Sequence, residues 1–245
     1  LAQLLDYEDR RVERMTKILV VEDEPNLRKL LEVIIGKEGY QVMTVNDGQA
    51  ALGQLEAFGP DLIISDVMMP NLDGLELCRK VRAMPDYQSI PFVLLTAKDE
   101  PTDKYQGFRE GADDYVVKPF DPVELLFRIE AHLRRPRPNV KDNAEIITVG
   151  QLELDRRNYQ AKVGDRLIQL TKSEFAMLHL LMSHADHVVS TEAILVEALG
   201  YPPQAGSSEI IRTHIRNIRQ KIESDPAAPT IIQTIARHGY TIKST

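Results

Sequence analysis

The sequence has one cysteine, Cys78, and no tryptophan in 245 residues. A single cysteine excludes a disulfide framework and a cysteine metal site within one chain. No apolar run approaches the roughly 20 residues that cross a bilayer, which excludes an ordinary membrane-spanning helix. An excess of basic charge is missing too: the formal net charge is −7, which by itself argues against nucleic acid. His214 and His238 have no ligand types near them at metal spacing, so zinc is not indicated. With cysteine this scarce, a reducing cytoplasm is the expected compartment.

What is present is an ordinary globular composition, 43% apolar and 27% charged, long enough for two domains. Charge divides unevenly between the halves. Residues 1–135 carry 17 Lys and Arg against 25 Asp and Glu, whereas residues 136–245 carry 13 against 12. An acidic head and a second domain with a different kind of partner are expected. Residues 1–14 join a short apolar start to a charged run and lack the basic flank and apolar core of a signal peptide. Met15 is the expected natural start, which makes 1–14 an extension.

From Lys17 the pattern alternates between apolar runs of strand length and amphipathic stretches of helical period. Strands are expected at Ile18–Val21, Gln41–Val45, Leu62–Asp66, Phe92–Leu95 and Tyr115–Val117. Helices are expected from Pro25, over Asp47–Phe58 and Leu72–Ala83, near Thr102–Glu110, and over Pro122–Arg135. Five βα repeats predict an α/β doubly wound parallel sheet in residues 15–135, of flavodoxin-like (βα)5 type. Residues 136–144 are polar and proline-bearing with no apolar period, and read as a linker.

Residues 145–245 read as an α+β domain. Four short strands separated by Arg156-Arg157-Asn158 and Gly164-Asp165 turns come first. Thr171-Lys172-Ser173-Glu174 is a capping box that opens a helix, and a second helix is expected over Ser190–Leu199. Over Ser208–Glu223, Ile211, Ile215, Ile218 and Ile222 form one stripe, while Arg212, Arg216 and Arg219 form another that is expected to be presented. Asn217 and Lys221 add donors suited to phosphates and base edges. A closing hairpin around Arg237-His238-Gly239 completes a winged helix-turn-helix.

Chemistry concentrates at the carboxyl ends of the first domain's strands, the edge where open α/β sheets bind ligands. Glu22 and Asp23 end the first strand, Asp66 the third, Thr96 the fourth and Lys118 the fifth. Three carboxylates together call for a cation, and Mg²⁺ suits carboxylates combined with phosphate oxygens. Thr96 and Lys118 are donors for a phosphoryl group. The set supports attack by the Asp66 carboxylate on phosphorus.

These pieces resemble the receiver domain of two-component response regulators over Thr16 to Arg135. The matching stretches are Ile18 to Glu24, Asp66 to Pro70, Thr96-Ala97 and Lys118-Pro119-Phe120. The resemblance implies that a sensor histidine kinase phosphorylates Asp66. It implies that Glu22, Asp23, Asp66 and the Met68 carbonyl hold Mg²⁺, and that Tyr115 is a switch aromatic paired with Thr96. The family often has two aspartates where Glu22-Asp23 stand. Lys118-Pro119 resembles the family's cis bond.

Resemblance to the OmpR/PhoB subgroup covers the second half as well, through Leu170 to Phe175, His214 to Ile222 and Gly239-Tyr240. It implies that the arginine-bearing helix enters the major groove of double-stranded DNA with tandem half-sites, and that the hairpin reaches the minor groove, where the family's usual arginine position is Ala236 here and Arg237 stands beside it. The loop from Gly200 to Ser207 would touch RNA polymerase. A phosphorylated homodimer would form through the last two helices of the first domain. Lys104 with Glu124 and Asp114 with Arg128 match intersubunit pairs, Asp113 shares the face, and Arg109 and Glu130 have the usual signs reversed. Two alternatives stand beside this reading. A phosphohydrolase of the haloacid dehalogenase type would have a second aspartate at the position of Met68. A regulator that binds protein without phosphorylation would not need Asp23, Asp66, Thr96 and Lys118 together.

Overall fold

The computed structural model describes residues 14–97, 111–134, 145–202 and 207–244. The expected linker and the helix expected near residues 102–110 lie outside the described residues.

Strands β1 (Lys17–Val21), β2 (Gln41–Val45), β3 (Leu62–Asp66), β4 (Phe92–Ala97) and β5 (Asp114–Lys118) form one parallel sheet in the order β2-β1-β3-β4-β5. The strands are apolar throughout because both faces are covered. Ile18, Val20, Leu62, Ile64, Val93 and Leu95 pack on α1 (Pro25–Lys37) and α4 (Pro122–Leu133). Leu19, Val21, Ile63, Phe92 and Leu94 pack on α2 (Gly48–Phe58) and α3 (Gly74–Ala83), among them the buried Cys78. Helices α2 and α3 start later than their patterns suggest. Asp47 and Asp73 stay outside the helix and accept from the Ala50 and Glu76 amides, which is the work of an N-cap.

The second domain opens with an antiparallel sheet of β6 (Ile146–Val149), β7 (Leu152–Asp155), β8 (Gln160–Val163) and β9 (Arg166–Gln169). Helix α5 (Lys172–Ser183) carries the expected capping box: Thr171 accepts from the Glu174 amide and Glu174 from the Thr171 amide. The helix expected over 190–199 is instead a short α6 (Thr191–Ala193) that widens into a π-helical turn at Ile194–Ala198. Helix α7 (Ser208–Ile222) buries Ile211, Ile215, Ile218 and Ile222 as one stripe. Hairpin strands β10 (Ile232–Ile235) and β11 (Gly239–Ile242) follow, and the Val189 amide and carbonyl extend the pair through Tyr240. Gly239 allows that approach, since a Cβ there would collide with the Val189 carbonyl and its φ is +139°.

The apolar cluster on the α2–α3 side of the parallel sheet does not end at the domain boundary. It continues from Ala112 and Tyr115 into Phe175, Met177 and Tyr201 of the second domain. Among the described residues no helix is long and apolar enough to cross a membrane.

Candidate functional site

The sheet register brings the predicted acidic residues to one edge. Val21 pairs with Ser65, so Glu22 and Asp66 lie side by side beyond them. Asp66 pairs with Leu95, which puts Thr96 one residue further out, and Ala97 pairs with Lys118. One carboxylate oxygen each from Glu22, Asp23 and Asp66 lies within 4.8 Å of the others. Glu22 is 1% exposed and Asp66 8%, while Asp23 faces solvent. Lys118 Nζ donates to Glu22 Oε2 at 2.8 Å and lies 2.9 Å from Asp66 Oδ2. The Lys118-Pro119 peptide is cis, and the Tyr115 and Thr96 side chains are buried. The Met68 side chain points to solvent.

The electrostatics of this edge are asymmetric. Burial pushes the Glu22 carboxyl up, the Lys118 hydrogen bond pulls it back, and the Asp66 charge adds to the rise, so the group ends above its ordinary value. For Lys118, burial pulls down, yet its bonds to Glu22 and Asp66 outweigh that and hold the ammonium charged. Three carboxylates and one ammonium leave a charge deficit of the size a divalent cation neutralises. An all-oxygen donor set, partly open to solvent through Asp23, fits Mg²⁺ with retained waters.

Helix α7 departs from the expected presentation. Of the arginine row, only Arg212 is exposed. Arg219 turns onto the hairpin, where Nε and Nη2 donate to the Ile232 carbonyl at 3.1 and 2.6 Å and Nη2 donates to Thr234. Lys221 donates to Glu174 Oε2 at 2.6 Å, and Asn217 is 6% exposed. Arg216 is half-buried, with Nε and Nη2 out of water. A helical stripe cannot show that a neighbouring hairpin and a capping glutamate compete for its cations. Arg237 sits at the exposed hairpin tip with φ +65°.

The residues expected on a dimer face divide likewise. Lys104 and Arg109 lie outside the described residues. Arg128 donates within its own chain, to Asp114 Oδ1 and Oδ2 at 3.0 Å and to Glu124 at 2.6 Å. Glu130 pairs with Arg134. Asp113 is fully buried, and its Oδ2 accepts from Arg82 at 2.7 Å. Neither Arg82 nor Tyr201, whose hydroxyl accepts from Arg128 Nη1 at 3.2 Å, stands out in the sequence. Only contact between remote segments identifies them.

A pH dependence follows from Asp114. Burial pushes its carboxyl up, but the His132 hydrogen bond and the Arg128 charge outweigh burial and hold it at about 2. Because the folded value lies below the ordinary 3.8, the stabilisation is complete above about pH 4 and is lost as pH falls through about 2. It amounts to about 2 kcal/mol. Urea unfolding at pH 6, 4, 3 and 2 is expected to show this loss in the wild type and a flatter profile for Asp114→Asn. Parallel profiles would remove Asp114 as the cause.

Residues 18–130 match the family model for the response regulator receiver domain, and residues 164–242 match that for the C-terminal domain of transcriptional regulatory proteins. Response regulator ArlR of Staphylococcus aureus is 40% identical over 229 residues, 94% of this chain and all of the relative. The "Probable transcriptional regulator ycf27" of Galdieria sulphuraria is 39% identical over 232 residues, 93% of this chain and 90% of the relative. A solved structure of a RitR mutant is 26% identical and covers 93% of this chain and 99% of its own, with a TM-score of 0.73. A likeness of that size across both domains requires a similar placement of one against the other. The chain belongs to the OmpR/PhoB family of two-component response regulators, in which a receiver domain governs a winged-helix DNA-binding domain to regulate transcription in response to phosphorylation.

Proposed function

We propose that Asp66 is the phosphoacceptor and that phosphorylation by a sensor histidine kinase drives this chain into a DNA-reading homodimer. The observation that carries the reading is the bridge from Lys118 Nζ to Glu22 and Asp66 beside Asp23. An Asp66 carboxylate oxygen attacks the phosphorus, the bond from phosphorus to the kinase histidine nitrogen breaks, and an acyl phosphate forms. Glu22, Asp23, Asp66 and the Met68 carbonyl would hold Mg²⁺, which when bound neutralises the carboxylates and draws in the phosphoryl oxygens. Lys118 can then turn from the carboxylates to a phosphoryl oxygen, with the Thr96 hydroxyl as a second donor and Tyr115 following Thr96. In this reading the receiver's only catalysis is of its own phosphorylation and dephosphorylation.

The dimer would form through α4 and the segment before β5. Val123 and Phe127 support this, being 56% and 50% exposed on α4 next to Glu124. Arg212 and Arg216 would reach DNA from α7, and Arg237 from the hairpin tip. Asn217 would join them once uncovered, whereas Arg219 and Lys221 would brace the helix. The loop after Gly200 remains the proposed contact for RNA polymerase. The proposed domains are residues 15–135 and 145–245, joined by the linker 136–144, in a protein working in the cytoplasm.

Selection from a randomised duplex library, with and without beryllofluoride and Mg²⁺ as aspartyl phosphate mimic, tests the reading. Enrichment of a tandem motif mainly with the mimic is expected. Equal enrichment in both arms would uncouple DNA reading from the switch, and no enrichment in either would favour the protein-binding alternative.

A further inference from the structure

Helix α1 begins where the acidic end of β1 stops, and no side chain caps it. Glu24 occupies the N-cap position but makes no side-chain bond to the helix, and Pro25 follows it. The junction is tied instead from one turn further on. Arg28 is half-buried, and its Nη1 donates to the Glu22 carbonyl at 2.6 Å and to the Asp23 carbonyl at 3.0 Å. Both carbonyls lie beyond the paired part of β1 and take no backbone donor among the described residues. One guanidinium nitrogen therefore satisfies two consecutive peptide oxygens that the sheet leaves open.

The same two residues carry side chains of the candidate cation site. Glu22 is fixed at several points: its amide donates to the Val45 carbonyl at 3.1 Å, its Oε1 accepts from the Glu24 amide at 3.2 Å, and its Oε2 accepts from Lys118 at 2.8 Å. Asp23 differs. Its carboxylate faces solvent with no hydrogen bond or ion pair among the described residues, so its direction follows from its backbone. The Arg28 bond to its carbonyl holds that backbone. With the bond in place, one carboxylate oxygen of Asp23 lies within 4.8 Å of oxygens of Glu22 and Asp66.

We propose that Arg28 is a positioning residue for the cation site, its guanidinium clamping the Glu22 and Asp23 carbonyls so that both carboxylates are preset beside Asp66. The proposal rests on Glu22, Asp23 and Asp66 holding Mg²⁺. For an arginine next to a cation site the charge has the wrong sign. Coulomb repulsion alone predicts that removing the guanidinium would tighten Mg²⁺ binding. Positioning predicts the reverse, because a loose turn at Glu22 and Asp23 must be ordered when the cation binds, and that ordering comes off the affinity. Groups that orient metal ligands typically contribute about 10- to 100-fold in affinity. Repulsion is screened at an edge open to solvent through Asp23, so positioning outweighs it. The preset turn lets the site fill, and Asp66 accept a phosphoryl group, at lower Mg²⁺.

The test titrates the unphosphorylated full chain with Mg²⁺ in about 0.15 M salt and follows its amide NMR shifts. Arg28→Met and Arg28→Gln both remove the charge, keep a good helix former and end short of the two carbonyls. Lys29→Met is the control: it removes an equal charge from the next position, where the ammonium reaches Glu32 instead of the turn. Both Arg28 variants are expected to bind Mg²⁺ ~10-fold more weakly, and Lys29→Met as tightly as the wild type or slightly more so. Phosphorylation by acetyl phosphate should slow by the same factor at limiting Mg²⁺ and recover in excess Mg²⁺, a rescue that a damaged fold would not show. Wild-type or tighter Mg²⁺ binding in whichever Arg28 variant folds would overturn the positioning role and leave the site intact. An equal loss in Lys29→Met would overturn it too. A wild type that neither binds Mg²⁺ nor takes phosphate from acetyl phosphate would defeat the site reading itself.

Discussion

Replacing Asp66 by Asn is expected to abolish stable phosphoryl transfer to the chain and, with it, dimerisation driven by acetyl phosphate and Mg²⁺. The amide has no carboxylate oxygen to attack phosphorus. The rest of the pocket is expected to persist, because Lys118 keeps its 2.8 Å bond to Glu22 and the β3 backbone stays in the sheet. Acid-labile, base-labile phosphate in the protein should fall at least ~100-fold, since a carboxylate nucleophile has no substitute within reach in its original position. Light scattering after chromatography reads the second effect. An Asp66→Asn chain that still dimerises with acetyl phosphate and Mg²⁺ would defeat the phosphoacceptor assignment. Loss of phosphate with unchanged DNA selection would instead leave the acceptor intact and uncouple it from output.

Replacing Glu223 by Ala is expected to destabilise the DNA-binding domain strongly. Glu223 is the C-cap of α7, 3% exposed, and its carboxylate accepts from the backbone amides of Thr230, Ile231 and Ile232 at 2.9 to 3.1 Å. It also accepts from the Thr230 hydroxyl. A negative charge at the carboxyl end of a helix opposes the helix dipole, by up to about 1 kcal/mol at an exposed end. Three amide donors outweigh that. Alanine would leave three backbone donors without an acceptor at the point where the chain turns from α7 into β10. At roughly 1 kcal/mol or more for each stranded donor, the loss is about 3 kcal/mol or more, and the domain's melting temperature should fall by at least ~10 °C. Glu223→Gln, which retains one acceptor oxygen, should fall between. Calorimetry decides the matter: a shift below ~2 °C for Glu223→Ala would show that water replaces the carboxylate at little cost.

The two parts of the protein were unequally legible. Apolar runs ending at Asp66, Thr96 and Lys118 identify the strands and their carboxyl ends, because a parallel strand buried on both faces has few other ways to be written. The strand order then places Glu22, Asp23, Asp66 and Lys118 together, as found. On α7 the isoleucine stripe was legible for the same reason, as one face of a helix must meet its own core. The arginine row was not. Arg219 is held by the Ile232 carbonyl and Lys221 by Glu174, partners 13 and 47 residues away along the chain. Glu223 looks like a surface acid at a helix end until the first strand of the hairpin lies against it.

Sequence by itself determined what repeats locally: the strands, the helix stripes, the capping box at Thr171, and the chemistry at the sheet edge. These depend on periods of two and 3.6 residues and on short-range hydrogen bonds, which neighbouring residues carry without outside help. Only the tertiary structure decided which polar side chains remain available. Whether Arg128 meets another subunit or Tyr201, and whether Asn217 faces DNA or the receiver, depends on surfaces brought together from distant segments. A charged or amide group takes the best partner within about 3 Å, and no local pattern records which partner that will be.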